Sequence, residues 1–104
     1  MFATIRRYES VDQSRANELA KKVDEGLLPK LSELPGFGGY SLIDTGNGVI
    51  SSVAFYETSA QADESTKVAA KWITDENLNS LIPNAPKITS GKVVARSDRV
   101  LAVA

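Results

Sequence analysis

A chain of 104 residues, 42% hydrophobic and 24% charged, has the balance of a globular protein and at this length buries roughly two-thirds of its unfolded surface. Disorder and a second domain therefore have no compositional basis, and residues 1–104 read as a single domain. The formal net charge is −1, with six bases against seven acids up to Ser52 and six against six beyond it; neither half carries the basic patch needed to neutralise a run of phosphates, so nucleic acid is not an expected partner.

Cysteine is absent, which excludes a disulfide framework and thiolate metal sites. Arg6 and Arg7 fall where a signal peptide would place its apolar stretch, and no segment approaches the roughly 18 apolar residues of a membrane span. A cytoplasmic protein with no membrane partner is the resulting expectation.

In chain order, Phe2, Thr4, Arg6 and Tyr8 alternate with Ala3, Ile5 and Arg7, a period of two that predicts a first strand. Asp12 or Ser14 can cap a helix on which Ala16, Leu19, Ala20, Val23, Leu27, Leu31 and Leu34 form one apolar stripe. Arg15, Glu18, Lys22 and Glu25 make its solvated face. Gly26 and Pro29 interrupt the pattern and predict a bend. Leu34-Pro35-Gly36 ends the helix, and Phe37 to Asp44 reads as a second strand. Thr45-Gly46-Asn47-Gly48 is a tight turn into a third strand from Val49 to Glu57.

Ser59 is the expected cap of a second helix whose inward face carries Ala62, Thr66, Ala69, Trp72 and Ile73. Glu76 to Ile82 predicts a short third helix, stopped by Pro83 and Pro86. Lys87 to Ser97 alternates as a fourth strand, and Asp98 to Ala104 is a tail apolar enough to pack. The order is that of an α+β, ferredoxin-like β-α-β-β-α-β chain with a four-stranded antiparallel sheet and its helices on one face. Val49, Ser51, Val53 and Phe55 alternate with Ile50, Ser52, Ala54 and Tyr56, so both faces of the third strand lack charge. The face away from the helices needs a cover, and a second copy of the same sheet supplies one in a homodimer.

The opening Met1-Phe2-Ala3-Thr4-Ile5-Arg6-Arg7-Tyr8, the Leu34-Pro35-Gly36-Phe37 lead-in to the second strand, and the Ser51 to Glu57 strand followed by Ala60 and Trp72 together resemble the antibiotic biosynthesis monooxygenase-like family over nearly the whole chain. The resemblance implies a dimeric α+β barrel, in which two ferredoxin-like subunits press their sheets together. Some members oxidise polycyclic aromatic substrates without metal or flavin. Others degrade haem with an asparagine on the first strand, a tryptophan on the second helix and a histidine further along. Here Trp72 matches the tryptophan, the first-strand position falls near Arg6 or Arg7, the histidine position falls near Ile82, and the chain has no histidine. Histidine-ligated haem is excluded, and no cofactor is expected.

Without histidine or cysteine the usual nucleophile arrangements are absent, and acid–base work would fall to a perturbed carboxylate, lysine or tyrosine. Asp63 with Glu64 and Asp75 with Glu76 point different ways on a helix and have no metal-ligand pattern, so no metal site is expected. Gly36-Phe37-Gly38-Gly39-Tyr40 faintly resembles an RNA-binding platform strand, but on the wrong strand and with the wrong aromatic spacing; its glycines fit strand curvature or a close backbone approach. Two readings of function remain. In one, a pocket lined by Arg6, Tyr40, Ser52, Tyr56 and Trp72 binds a small aromatic or quinol-like molecule, and in the monooxygenase form oxidises it with dioxygen alone while Arg6 or a tyrosine stabilises the developing anion. In the other, a non-catalytic dimer encloses polar residues such as Arg6, Ser52 and Lys92 inside a closed barrel.

Overall fold

A computed structural model describes residues 1–97; the expected packing of the tail from Asp98 lies outside the described residues. Strand β1 (Phe2–Tyr8) leads through a 3-10 turn (Gln13–Arg15) to α1 (Ala16–Lys22), a π-helical turn (Val23–Leu27) and α2 (Leu28–Ser32). The hairpin β2 (Phe37–Gly46) and β3 (Val49–Tyr56) follows, then α3 (Ser59–Asp75), a 3-10 turn (Leu78–Ser80) and β4 (Lys87–Lys92). The sheet order is β2-β3-β1-β4 with every pair antiparallel, so the ferredoxin-like α+β expectation is met.

Local chemistry explains each turn of the chain. Asp12 accepts a hydrogen bond from the Ser14 backbone N–H and opens the first helical stretch. Its stripe buries Leu19, Val23, Leu27 and Leu31, every fourth residue, while Ala20 is exposed, so the stripe is narrower than the sequence predicts. The bend expected at Gly26 and Pro29 takes the form of the π turn, in which the Leu28 N–H reaches back to the Val23 carbonyl. Pro29 follows at once in the first turn of α2, so the residue that cannot donate sits directly after the widened turn.

The cap of α3 is Thr58 and not Ser59. Thr58 is extended (φ −126°, ψ 159°) and exchanges two bonds with Gln61, N–H to Oγ1 at 3.2 Å and N–H to Oε1 at 3.1 Å, a capping box that an already helical Ser59 could not form. Gly36, at φ +80°, lies against it: a Cβ there would stand 1.9 Å from Gln61 Oε1. Gly36→Ala is therefore expected to cost about 2–3 kcal/mol, combining left-handed strain with a lost cap. Urea unfolding checks this, and adding Gln61→Ala to Gly36→Ala should remove the steric part of the loss.

The β2–β3 turn places Asn47 and Gly48 at φ 56° and 77°, the left-handed pair a two-residue hairpin requires. Register shifts fall between Phe37 and Gly39 and between Asp44 and Gly46, so the irregular points of β2 lie at glycines. Strand β4 ends at Lys92 instead of Ser97 because β1 runs out of partners: Phe2 pairs with Lys92, and a last bond joins Val93 N–H to the Met1 carbonyl at 2.9 Å. Beyond it the Arg96 guanidinium lies 4.2 Å from the Phe55 ring centre and donates to the Gly38 carbonyl.

The two faces of the sheet differ. Thr4, Arg6, Tyr8, Ile50, Ser52, Ala54 and Tyr56 are buried beneath the helices. On the outer face Ile5 and Ile43 are 40% and 44% exposed, with Val53 and Phe55 half-buried. The placement of Arg6, Ser52 and Lys92 in a barrel interior is corrected by the register: Arg6 pairs with Ser52 on the helix side, and Lys92, opposite Phe2, is exposed.

Candidate functional site

Alternation along β1 turns Arg6 and Tyr8 towards the helices, and the pairing of Arg6 with Ser52 and of Leu42 with Ser52 brings β3 and β2 beside them. Leu19, Val23 and Leu27 descend from the first helical stretch, Trp72 and Ile73 from α3, and Ile82 from the segment that follows. These residues, with Tyr40 and Ile50, enclose a cavity. The space open to the centre of a water molecule is ≈ 20 Å³, room for about one water. Arg6, Tyr40, Ser52 and Trp72 are thus brought together. Tyr56 does not line the cavity: its hydroxyl donates to the Leu31 carbonyl at 3.0 Å, and its ring packs edge-on to Phe37.

Arg6 is the unusual member. It is 1% exposed; its Nε donates to Ser52 Oγ at 3.1 Å and its Nη1 makes a long 3.5 Å contact to Thr66 Oγ1. Nη2 has no hydrogen-bond partner, the one buried side-chain nitrogen or oxygen so left among the described residues. The ion pairs among those residues join Arg15 to Glu18, Lys71 to Asp75 and Lys87 to Glu9, none of which involves Arg6. A buried guanidinium with no carboxylate partner among the described residues and one nitrogen left over is costly and calls for an acceptor.

Around it stand phenols. Burial pushes the Tyr8 hydroxyl pKa above 10.0, against the opposing pull of Arg6. Burial also raises Tyr40, offset in part by the charge of Arg6 and by weak hydrogen bonding to the Ser52 hydroxyl and to the Arg6 guanidinium, and burial raises Tyr56. All three are protonated at neutral pH and serve as donors, not bases. Because each folded pKa lies above its unfolded value, their stabilisation is complete below the unfolded tyrosine pKa and is lost as pH rises through the folded one. Stability is therefore expected to fall on titration above pH 10, and Tyr8→Phe and Tyr40→Phe should each flatten that fall in urea unfolding.

Trp72 is 5% exposed and stands between two spaces. Its inner side lines the cavity; its outer side lines a groove of ≈ 310 Å³ with Gly26, Lys30, Val68, Lys71, Asp75 and Glu76. Gly26 lets the indole lie close, since a Cβ there would be 3.0 Å from Nε1. Among the described residues no three His, Cys, Asp or Glu side chains gather to hold a metal ion. The donors that do converge, one guanidinium and several hydroxyls, suit an oxyanion and not a cation.

Sequence reasoning missed Tyr8, although it follows Arg6 by two residues and so shares its strand face. Thr66 was placed on the inward face of its helix, but its contact with Arg6 spans distant parts of the chain and leaves no local pattern.

No family model matches the chain, and no curated protein matches it. Solved structures do. A protein of unknown function from Nitrosomonas europaea superposes with TM-score 0.74 at 16% identity, covering 95% of this chain and 94% of its own. A monooxygenase from Streptomyces coelicolor in complex with the ligand Nanaomycin D gives 0.70 at 16% identity, covering 95% and 92%. A protein described as dimeric and ferredoxin-like, from an uncultured marine organism, gives 0.66 at 20% identity, covering 94% and 98%. Others are provisionally named antibiotic biosynthesis monooxygenases. This chain accordingly has the ferredoxin-like α+β fold of the antibiotic biosynthesis monooxygenase-like proteins.

Proposed function

We propose that the chain is a homodimer, a dimeric α+β barrel closed through the outer sheet faces, in which each subunit binds a small aromatic or quinol-like molecule between its helices and its sheet. One observation carries the binding: the buried Arg6 Nη2, without a partner, at the wall of an apolar cavity. The aromatic walls of Tyr8, Tyr40 and Trp72 suit a ring, and Nη2 suits its oxygen. A cavity of ≈ 20 Å³ must open to admit a ring, and the groove outside Trp72 gives the indole somewhere to move. The Streptomyces coelicolor neighbour with its bound Nanaomycin D supports a ligand in this fold. The dimeric ferredoxin-like neighbour and the exposed Ile5 and Ile43 support the pairing.

The second reading, cofactor-independent oxidation, is favoured by the kind of charge present. A hydroquinone or anthrone brings its own reducing electrons, and a cation held in a dry site stabilises the anion from which they leave. In an anthrone the methylene becomes a carbonyl with one oxygen atom of dioxygen, and the other atom leaves as water. Arg6 would hold the oxyanion; Tyr8 and Tyr40, being protonated, would orient it.

Trp72 is the only tryptophan, so its fluorescence reports the cavity wall. Titration with hydroquinones and anthrones is expected to quench or shift it saturably, and oxygen uptake above the buffer rate separates catalysis from binding. Unchanged fluorescence across the panel would remove the ligand; saturable binding with uptake equal to buffer would remove only the oxidation. Among the described residues no helix is long and apolar enough to cross a membrane, and a cytoplasmic setting is part of the same proposal.

A further inference from the structure

Part of the cavity wall faces outward as well as inward. Val23, Tyr40 and Leu42 line the cavity, and the same three residues line a surface hollow of ≈ 200 Å³ whose remaining walls are Ala20, Asp24 and Leu28. One layer of side chains therefore separates the Arg6 cavity from the outside along this line. Tyr40 and Leu42 pair with Ala54 and Ser52 on the helix side of β2, and β2 is an edge strand with β3 as its neighbour, so the hollow lies where the edge of the sheet meets the π turn. Pairing of two subunits through their outer sheet faces leaves it open.

This wall can yield at low cost. Tyr40 and Leu42 are half-buried, and the register shift between Phe37 and Gly39, with Gly39 at φ +139°, interrupts β2 directly before Tyr40. A strand held on one side and irregular at that point opens locally more readily than a central one. The groove beyond Trp72 is the poorer way in. Among the described residues Trp72 alone lines both that groove and the cavity, and it is 5% exposed, so passage there requires a whole indole to leave its packing first. The groove instead gives the indole room once a ring is inside.

We infer that a ligand reaches Arg6 through the edge of the sheet, between β2 and the π turn, and that Tyr40 and Leu42 are the side chains that swing aside to admit it. This deepens the proposed function and rests on the cavity being the binding site. The Tyr40 hydroxyl lies beside Arg6 and Ser52, so the side chain that closes the mouth also returns to face the bound oxygen.

Stopped-flow mixing of the full chain with 4-nitrophenol, followed through quenching of Trp72 fluorescence, gives association and dissociation rates. Ala20 is exposed and lines the hollow but not the cavity, so Ala20→Phe narrows the mouth without touching a bound ring. It is expected to slow both rates about tenfold at unchanged Kd, a pattern that damage to the site itself does not produce. Leu28→Phe, within the same hollow, is expected to do the same. Lys71→Phe narrows the groove beyond Trp72 and is expected to leave both rates as they are. Slowing by Lys71→Phe alone would move the way in to Trp72 and overturn the assignment, as would rates that none of the three substitutions changes. Nitrophenol that fails to bind the unaltered, folded protein would overturn the cavity reading itself, and the entrance with it.

Discussion

Replacing Arg6 by methionine is expected to raise the stability of the fold and abolish binding of phenolic ligands at the same time. Methionine is of comparable volume, unbranched, flexible and apolar, and so can adapt to the space beneath Leu19, Val23 and Trp72. Its side chain forgoes the charge-assisted bond to Ser52, a loss of about 1.5–3 kcal/mol, and a long contact to Thr66, while the Ser52 hydroxyl keeps the Tyr40 hydroxyl beside it. Against this stands the removal of a guanidinium that is 1% exposed, with one nitrogen unsatisfied and no carboxylate partner among the described residues. Even paired buried charges are often replaced by apolar residues with a gain of about 1–4 kcal/mol. A net gain of about 1–2 kcal/mol is expected, read as a higher urea midpoint at unchanged slope. Ligand affinity should fall by about a hundredfold or more, the loss of a charge-assisted bond in a dry site. A stable variant that no longer binds is the signature of a residue retained for its function at the expense of stability. A variant destabilised by several kcal/mol would instead make Arg6 a structural strut.

The second large effect concerns the outer face. Register aligns Ser41, Val53, Ile5 and Thr89 in one row across the sheet and Ile43, Ser51, Arg7 and Lys87 in the next, so Ile5 and Ile43 lie on adjoining rows of the outer face with the half-buried Val53 of β3 between their strands. At the other end Arg96 already covers Phe55, which leaves this patch as the apolar centre available to a second sheet. In a two-fold pairing every substitution occurs twice. Ile5→Glu with Ile43→Glu would therefore place four carboxylates in the interface, each costing several kcal/mol if desolvated. The unaltered chain is expected to sediment as a dimer at micromolar concentration, and the double variant as a folded monomer with an unchanged helical signal. An unaltered chain that sediments as a monomer would remove the barrel.

Much of the fold was legible because it is written in local periods. The alternation of β1 and β3, the Asn47-Gly48 turn and the Leu19 to Leu31 stripe each state their structure within a few residues. What local patterns could not supply was set by partners far away. Lys92 ends β4 because β1 begins at Phe2, which no reading of Lys87 to Ser97 could reveal. Thr58 displaced Ser59 as a cap because Gln61, three residues beyond Thr58, completes the reciprocal pair; that signal was present and was passed over. For the candidate site, residue types pointed to Arg6, Tyr40, Ser52 and Trp72, yet the orphaned Nη2 reflects which of the described residues come to surround Arg6 in three dimensions. Tyr56 has the right type and shares the helix side of β3, but its hydroxyl is spent on the Leu31 carbonyl.

A crystal structure of the protein grown with a phenolic ligand bears most directly on the Arg6 cavity. The expected result is a ring between Tyr8, Tyr40 and a displaced Trp72 in each subunit of a sheet-to-sheet dimer, its oxygen about 2.7–2.9 Å from Arg6 Nη2. A closed cavity with Trp72 unmoved, and Arg6 Nη2 paired with a carboxylate of the protein itself, would contradict it.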